Sequence, residues 1–306
     1  MITFAYSLAA HEKPNVLIDQ IQNINRYNKK FSIKIVLHLS KIFELNDVDL
    51  IEISSQPNVI VNPERLITGF MDGSLYEAHL SNINLLYSKK INFGHIIFLA
   101  SNMMFVRQMI EIKSDFIGNS HDAILHKGWF QAWMAVRDKN INKFHLYGCQ
   151  IEGLFISKNL LDRMLPQLQS ISYKYLFINK AKTERNIFWN KIIRQWRKFR
   201  FKKWINTNYI LEPIRFFTFS QLPFVRIAYA TEEVYFPTIA KLFQDEFTFK
   251  GSVLSFQDWE NSSIVTKDSV DWLRSSANTA YVCTKRVDRI YDDPVRVYIR
   301  NLPDEI

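Results

Sequence analysis

The sequence is poor in cysteine, glycine and proline. Its 306 residues include two cysteines, Cys149 and Cys283, eight glycines and nine prolines. Two cysteines without a Cys-x-x-Cys pair cannot form the disulfide framework of a small secreted domain, and they have neither zinc-site nor dithiol redox spacing. The scarcity of glycine and proline, with no biased stretch, excludes collagen-like and low-complexity segments. We therefore expect an ordered globular protein in the reducing cytoplasm.

Long apolar runs and metal-ligand spacings are also missing. No segment approaches the roughly 20 consecutive apolar residues of a membrane-spanning helix. The N-terminal residues 1–13 have no basic start and indicate a first strand rather than a signal peptide. The seven histidines show no His-Glu-x-x-His or comparable spacing, so no metal is expected. A hydrophobic content of 47% is ample for a large core.

The net charge of +9 comes from one segment. Residues 180–204 carry ten Lys or Arg and one acid, interleaved with aromatic residues such as Trp196 and Trp204. Such a composition suits an anionic membrane surface, nucleic acid, or a solvated helix whose rings pack on the core. No nucleic-acid-binding motif accompanies the segment. We therefore expect it to attach the protein to the inner face of the plasma membrane, and we expect no nucleic acid.

Strand and helix patterns alternate over the first third of the chain. Period-2 and continuous apolar runs predict strands, and apolar residues at helical spacing predict helices between them. The predicted elements are strands 2–10, 32–39, 58–61 and 95–100, with helices 14–27 and 72–88, and later a strand 153–157, a helix 158–168 and a helix 234–243. This order predicts an α/β fold with a Rossmann-type, mixed and mostly parallel sheet flanked by helices.

The carboxyl ends of parallel strands form the usual ligand crevice of such sheets. Ala9 and His11 stand at the end of the first predicted strand, and His38 and Ser40 at the end of the second. These four residues, together with Ser101 and Asn102 after the predicted strand 95–100, are therefore predicted to lie near one crevice. Among the histidines, His11 is the strongest candidate for a ligand contact.

Two acidic patterns are candidates for chemistry. Glu232 and Glu233 begin a predicted helix. They either provide a general base for a reaction, or they stabilise the helix because their negative charges lie at the positive end of its dipole. The triplet Asp47-Val48-Asp49 has the spacing of a metal-binding Asp-x-Asp motif. It lies early, in the variable stretch after the second strand, and we interpret it as surface.

Five segments in this order resemble the core-2/I-branching glycosyltransferase family. Residues 5–13 look like the family's opening strand, which ends in His, and residues 36–41 look like its His-Val-Asp-Lys strand end. Residues 149–158 look like its small-residue turn and the strand that follows. Residues 232–238 look like its Asp-Glu-His-aromatic-x-Pro/Ala-Thr signature, and residues 282–288 look like its terminal Phe-Ala-x-Lys-Phe-Asp motif. The most specific match is 232–238, and the resemblance spans nearly the whole chain. It implies a GT-A-type fold in which residues 1–110 bind the nucleotide and residues 111–306 bind the acceptor, with the basic aromatic segment 180–204 as a helical insertion.

The resemblance also implies roles for single residues. Glu233 is expected to be the catalytic base, and Glu232 and Glu152 are expected to bind the acceptor. Lys285, Arg286 and Lys250 are expected to bind the donor diphosphate without a metal, while the set Ala9, His11, His38 and Ser40 lines the uridine pocket.

The implied activity is an inverting transfer of a sugar, with N-acetylglucosamine as the family's example, from a UDP-sugar to a hydroxyl of a glycan or lipid-linked glycan. Surface polysaccharide synthesis in a bacterium fits the absence of disulfides. The family's nucleotide-contacting Asp is replaced by Ser40, and the Asp of its Gly-x-Asp-Phe-Pro turn by Met103, which leaves the donor sugar open. The alternative is a non-catalytic membrane-associated or nucleic-acid-binding protein built around residues 180–204. The sequence does not define an oligomeric state.

Overall fold

The computed structural model describes residues 3–43, 45–68, 73–122, 135, 138, 140–171, 230–257, 264–275 and 281–303. In chain order the elements are β1 Thr3–Ala10, α1 Pro14–Arg26, β2 Ser32–Leu39, α2 Asp47–Ser54, β3 Val59–Val61, α3 Ser74–Ser88, β4 His95–Ala100, β5 Met103–Phe105, β6 Phe116–Ile117, β7 His121–Asp122, β8 Tyr147–Gly148, β9 Phe155–Ser157, α4 Lys158–Ser170, α5 Glu232–Lys241, β10 Phe249–Lys250, β11 Ser255–Gln257, α6 Lys267–Arg274, β12 Cys283–Lys285 and α7 Pro294–Arg300.

The main sheet is mixed and mostly parallel. Within the described part of the chain its strand order is β10-β6-β9-β4-β1-β2-β3. β1 pairs in parallel with both β2 and β4, whereas β9 runs antiparallel to its neighbours β4 and β6. The carboxyl ends of the other six strands therefore share one edge with the beginning of β9. We call this edge the carboxyl edge.

Helices cover both faces of the main sheet. Alternating residues of β1 divide between two hydrophobic clusters, with Phe4 and Tyr6 on one side and Ala5 on the other. The first side packs against α1, and the second against α3, α4 and α5. Strands buried on both faces need apolar residues along their whole length, which is why the first strand is a nearly continuous hydrophobic run. The predicted mixed, mostly parallel sheet flanked by helices is confirmed.

A smaller sheet lies beside the main one. It has the order β11-β12-β5, in which β12 pairs in parallel with β11 and antiparallel with β5. Its outer face forms a third hydrophobic cluster with α6 and α7, which includes Met104, Leu273 and Ile299. This sheet brings the end of the chain next to β4, because β5 follows β4 after two residues.

The first and second halves of the chain both contribute strands to the main sheet. β1 to β4 come from residues 1–110, and β6, β9 and β10 come from residues 111–306. Among the described residues, no helix is long and apolar enough to cross a bilayer. The basic aromatic segment 180–204 lies outside the described residues, so its helical character and its membrane role stay predictions.

Candidate functional site

Several of the residues predicted from sequence meet at the carboxyl edge. β1 and β2 pair in register from Thr3 with Ser32 to Ala10 with Leu39, so Ala9 lies beside His38. Ala9 is also paired with Ala100 at the end of β4. Glu152 precedes β9 and therefore lies at this edge as well, although β9 runs in the opposite direction.

Helix α5 presents Glu233 from a firmly anchored first turn. The Tyr235 hydroxyl donates to the Asp138 carboxylate, and the Thr238 hydroxyl binds both the backbone N–H (2.9 Å) and the carbonyl (3.1 Å) of Tyr147. Phe236 packs against Phe98 of β4 with 4.7 Å between ring centroids. Each of these side chains fixes the helix against the fold, which gives the signature residues 232–238 a structural explanation.

Glu233 differs from its neighbours in burial. Glu233 is half-buried, whereas all the remaining residues of 230–240 are buried. Its backbone carbonyl accepts a hydrogen bond of 2.9 Å from the N–H of Cys149, which lies in the turn that leads to β9. Burial raises the pKa of the Cys149 thiol well above its usual value, and the negative charges of Glu233 and Glu152 raise it further. Both carboxylates therefore lie near Cys149.

An ion pair joins the turn before β9 to the smaller sheet. The Lys285 ammonium donates to Oε1 of Glu152, and both side chains are 13% exposed. The next residue, Gly153, has a positive φ of 82° and packs closely on the smaller sheet, since an added β-carbon would stand 2.8 Å from the N of Ser255. Predicted acceptor-binding and diphosphate-binding residues, Glu152 and Lys285, are thus in direct contact.

Buried polar atoms surround this ion pair. Gln257 lies opposite Lys285 in the β11–β12 pairing and is 8% exposed. Neither its amide oxygen nor its amide nitrogen has a hydrogen-bond partner in the described part of the chain, and the same holds for Oε2 of Glu152. Buried polar groups without partners are uncommon in folded proteins, and a bound water, ion or ligand is one explanation for them. Gln257 was not predicted from sequence, since an isolated Gln carries no pattern.

Residues 285–289 cross the carboxyl edge. Lys285 contacts Glu152 before β9, the N–H of Val287 donates to the carbonyl of Asn102 after β4 at 2.9 Å, and Arg289 reaches Glu12 after β1. We call residues 285–289 the crossing segment. It carries Lys285, Arg286 and Arg289 past three adjacent strands in turn. Arg286 is exposed on this segment.

Glu12 is a buried carboxylate at the end of β1. Its side chain is 1% exposed, its Oε1 accepts a hydrogen bond from the Ser101 hydroxyl, and the same oxygen forms an ion pair with Arg289, whose Nε lies 2.8 Å away. Its Oε2 accepts from the N–H of His11 at 2.9 Å. The sequence signal for this cluster was weak: the opening-strand match includes Glu12 without assigning it a role, and Arg289 falls just beyond the terminal motif.

The predicted nucleotide-side residues differ in accessibility. His38 is fully buried, and its Nε2 accepts the N–H of Leu66 at 2.8 Å. Burial lowers the pKa of His38 from 6.5 to about 4, so the ring is neutral at physiological pH. Ser40 is also fully buried and its hydroxyl accepts the N–H of Thr68 at 3.1 Å. The side chain of His11 is 41% exposed at the edge.

Lys250 stands apart from the other predicted cations. It ends β10, which is three strands away from β4 in the sheet order, or about 14 Å at the usual strand spacing. The structure therefore brings Lys285 and Arg286 together on the crossing segment and places Lys250 at the far end of the same edge.

The triplet 47–49 begins helix α2. Asn46 accepts the Asp49 N–H at 2.8 Å, and the Asp49 carboxylate accepts the Asn46 N–H, which forms a capping box. This explains both acids as helix-start residues. Across the described ranges, no group of three or more His, Cys, Asp or Glu side chains has a geometry that could hold a metal ion.

Comparisons with known proteins give distant structural neighbours. No family model and no curated protein matches the sequence. Among solved structures, the galactosyltransferase LgtC in complex with donor and acceptor sugar analogues has a TM-score of 0.31 at 8% identity, over 51% of this chain and 57% of that chain. An active-site mutant of LgtC has a TM-score of 0.32 at 7% identity, over 56% and 64%. The WbbM bifunctional glycosyltransferase in its apo form has a TM-score of 0.30 at 12% identity, over 55% and 34%.

The chain therefore spans about three fifths of the LgtC chains that it resembles. Likeness at this level carries no argument about reaction or substrate.

Proposed function

We propose that the protein is a glycosyltransferase of the core-2/I-branching type that transfers a sugar from a UDP-sugar to a glycan hydroxyl with inversion, and that Glu233 is the catalytic base. The observation that supports this most directly is the exposure of Glu233. In residues 230–240 it is the one side chain that is not buried, on a helix start anchored to β4 and β8. A carboxylate held in this way can reach a substrate without moving the fold.

The proposed chemistry needs a base and an opposed positive charge. Glu233 takes the proton of the acceptor hydroxyl as its oxygen forms a bond to the anomeric carbon, and the bond from that carbon to the diphosphate breaks on the opposite face. The leaving UDP carries the released negative charge. In this proposal Lys285 and Arg286 of the crossing segment stabilise that charge without a metal ion, because charge-assisted hydrogen bonds to phosphate are strong.

Glu152 and Glu232 serve the acceptor side in this proposal. Glu152 keeps one carboxylate oxygen, Oε2, without a hydrogen-bond partner in the described residues, beside the Lys285 ammonium. Hydroxyl groups of a sugar can donate to such an oxygen. Ala9, His11, His38 and Ser40 line or support the nucleotide side, where the neutral His38 holds the backbone of Leu66 in place.

The Glu233→Gln variant tests the assignment. Transfer from a panel of UDP-sugars to monosaccharide and disaccharide glycosides should fall by at least about 10²-fold, since a general base contributes about 10² to 10⁴ in rate. UDP affinity measured by calorimetry should stay unchanged. Glu246→Gln, at an exposed carboxylate paired with Arg163, is the matched control and should retain full transfer. Near-normal turnover in Glu233→Gln would contradict the role of base.

Three finer parts of the proposal have separate tests. NMR of the product should show an anomeric configuration opposite to that of the donor. EDTA should leave the rate unchanged; loss of activity with EDTA and its return with Mn²⁺ would overturn the metal-free mechanism. Neutralising the basic residues of 180–204 should reduce pelleting with anionic liposomes, and unchanged pelleting would exclude the proposed membrane attachment.

A further inference from the structure

Glu12 and Ser101 lie on either side of the topological switch point of the main sheet. The chain passes from β1 to β2 and β3 on one side, and then returns to place β4 on the other side of β1. Glu12 follows β1 and Ser101 follows β4, so the two residues flank the gap between these strands. In open α/β sheets ligands bind beyond the carboxyl ends of the strands at such a point.

A guanidinium group is fixed over this position. Arg289 uses Nε to bind Oε1 of Glu12 at 2.8 Å, while its side chain remains 49% exposed. Glu12 itself is 1% exposed in its side chain and is held by the Ser101 hydroxyl and the His11 N–H. The position of the guanidinium is therefore set by a carboxylate that cannot move freely.

The geometry of this pair leaves the outer edge of Arg289 available. Within the described part of the chain, Arg289 contacts Glu12 through Nε, and neither Nη1 nor Nη2 donates a hydrogen bond. Those two nitrogens carry four N–H donors in a planar fork, which matches the oxygens of a phosphate group. A buried carboxylate that orients an exposed guanidinium lowers the entropy cost of binding an anion.

We propose that Arg289, positioned by Glu12, is a phosphate-binding residue for the donor diphosphate. The proposal rests on the proposed function for the identity of the anion as a nucleotide-linked diphosphate, and it adds a third cation of the crossing segment to Lys285 and Arg286. Arg289 contacts the ligand, whereas Glu12 is a positioning residue that acts through Arg289.

Binding of UDP, inorganic pyrophosphate and uridine to four variants and one control variant tests this role. Arg289→Gln should weaken UDP and pyrophosphate by roughly tenfold to a hundredfold, the range expected for hydrogen bonds to a charged group. Uridine affinity should not change, since it lacks the phosphates. Arg289→Lys should be intermediate, because it keeps the charge but loses the fork.

Glu12→Gln isolates the positioning effect. It should weaken pyrophosphate less than Arg289→Gln does. Because buried Glu12 accepts from both the Ser101 hydroxyl and the His11 N–H, its amide replacement leaves one of these donors facing an NH2 group and should lower the thermal midpoint, so affinities are compared well below that midpoint. The double variant should bind pyrophosphate no more weakly than Arg289→Gln alone, which is the non-additivity expected when one residue acts through another. Additive losses would show that Glu12 acts independently of Arg289.

A control variant and two different negative results separate this inference from the proposed function. Arg163→Gln removes an exposed, ion-paired Arg on α4, with 53% side-chain exposure, and should leave pyrophosphate affinity unchanged. Unchanged UDP and pyrophosphate affinity in Arg289→Gln overturns the inference, even if sugar transfer is active. If pyrophosphate binding depends on Arg289 but the wild-type protein transfers no sugar, the anion site stands and the proposed function fails.

Discussion

Asp19 on α1 should be a highly sensitive position for stability. Its carboxylate is 3% exposed, accepts a hydrogen bond from Nη1 of Arg296 at 2.8 Å, and forms an ion pair with Arg300, whose Nε lies 2.9 Å from Oδ1. Arg296 is fully buried, and its Nε and Nη2 also donate to the carbonyl of Asp288. These contacts join the C-terminal helix α7 to α1.

Replacing Asp19 by Asn keeps the shape of the side chain and removes its charge. Arg296 then remains as a buried cation without a carboxylate, which costs about 3–5 kcal/mol of unfolding free energy. Arg300 is 31% exposed in its side chain, so its share adds at most about 1 kcal/mol. Since whole domains are stable by about 5–15 kcal/mol, this loss is a large fraction of the total.

Urea unfolding followed by circular dichroism at pH 7 measures the effect. Glu246→Gln breaks an ion pair whose side chains are 53% and 51% exposed, and it should cost less than about 1 kcal/mol. The double variant Asp19→Leu with Arg296→Met should lose less than Asp19→Asn, because an apolar pair leaves no uncompensated charge. A cost below about 1 kcal/mol for Asp19→Asn would refute the reasoning from burial.

Two further predictions concern a glycine and two histidines. Gly153→Ala should lower the free energy of unfolding, measured in urea, by about 1–3 kcal/mol, because φ is 82° and the new β-carbon would meet Ser255. Gly251→Ala is the control and should be nearly neutral, because there is open space around Gly251. Equal effects of the two substitutions would contradict the close approach of Gly153 to Ser255. Burial lowers the pKa of His38 to about 4 and of His79 to about 3. Below about pH 6.5 the unfolded chain protonates these two histidines, whereas the folded protein keeps both rings neutral. The free energy of unfolding should therefore be highest above about pH 6.5 and fall by roughly 2 kcal/mol per ring between pH 7 and 5. His79→Gln should make this decrease smaller.

The sequence predicted the sheet well because its strands are long and apolar. β1 and β2 have eight residues each and are buried on both faces. Strands of this kind appear in the sequence as nearly continuous apolar runs, which are easy to recognise. The helix that begins at Glu232 was also predicted, although it starts two residues before the apolar run used to place it. The two-residue strands β6 and β10 were not predicted, since such short segments carry no periodicity.

The composition of the site was harder to predict than its location. Placing Ala9, His38 and Ser40 at one edge needed only the direction of parallel strands. The Glu12–Arg289 pair and the contact between Gln257 and Lys285 depend on how the smaller sheet packs beside the larger one. Local sequence contains no information on that packing, because the partners come from distant parts of the chain.

The contact of α7 with α1 also determines which variants can change ligand binding without disturbing α7. Arg296 holds the carbonyl of Asp288, and the next residue is Arg289, so the contact of α7 with α1 and the anion-binding position share one stretch of backbone. A loss of UDP affinity in Asp19→Asn would therefore carry both effects at once. Glu12→Gln and Arg289→Gln alter side chains beyond that contact, and for this reason they can report on ligand binding while α7 stays in place.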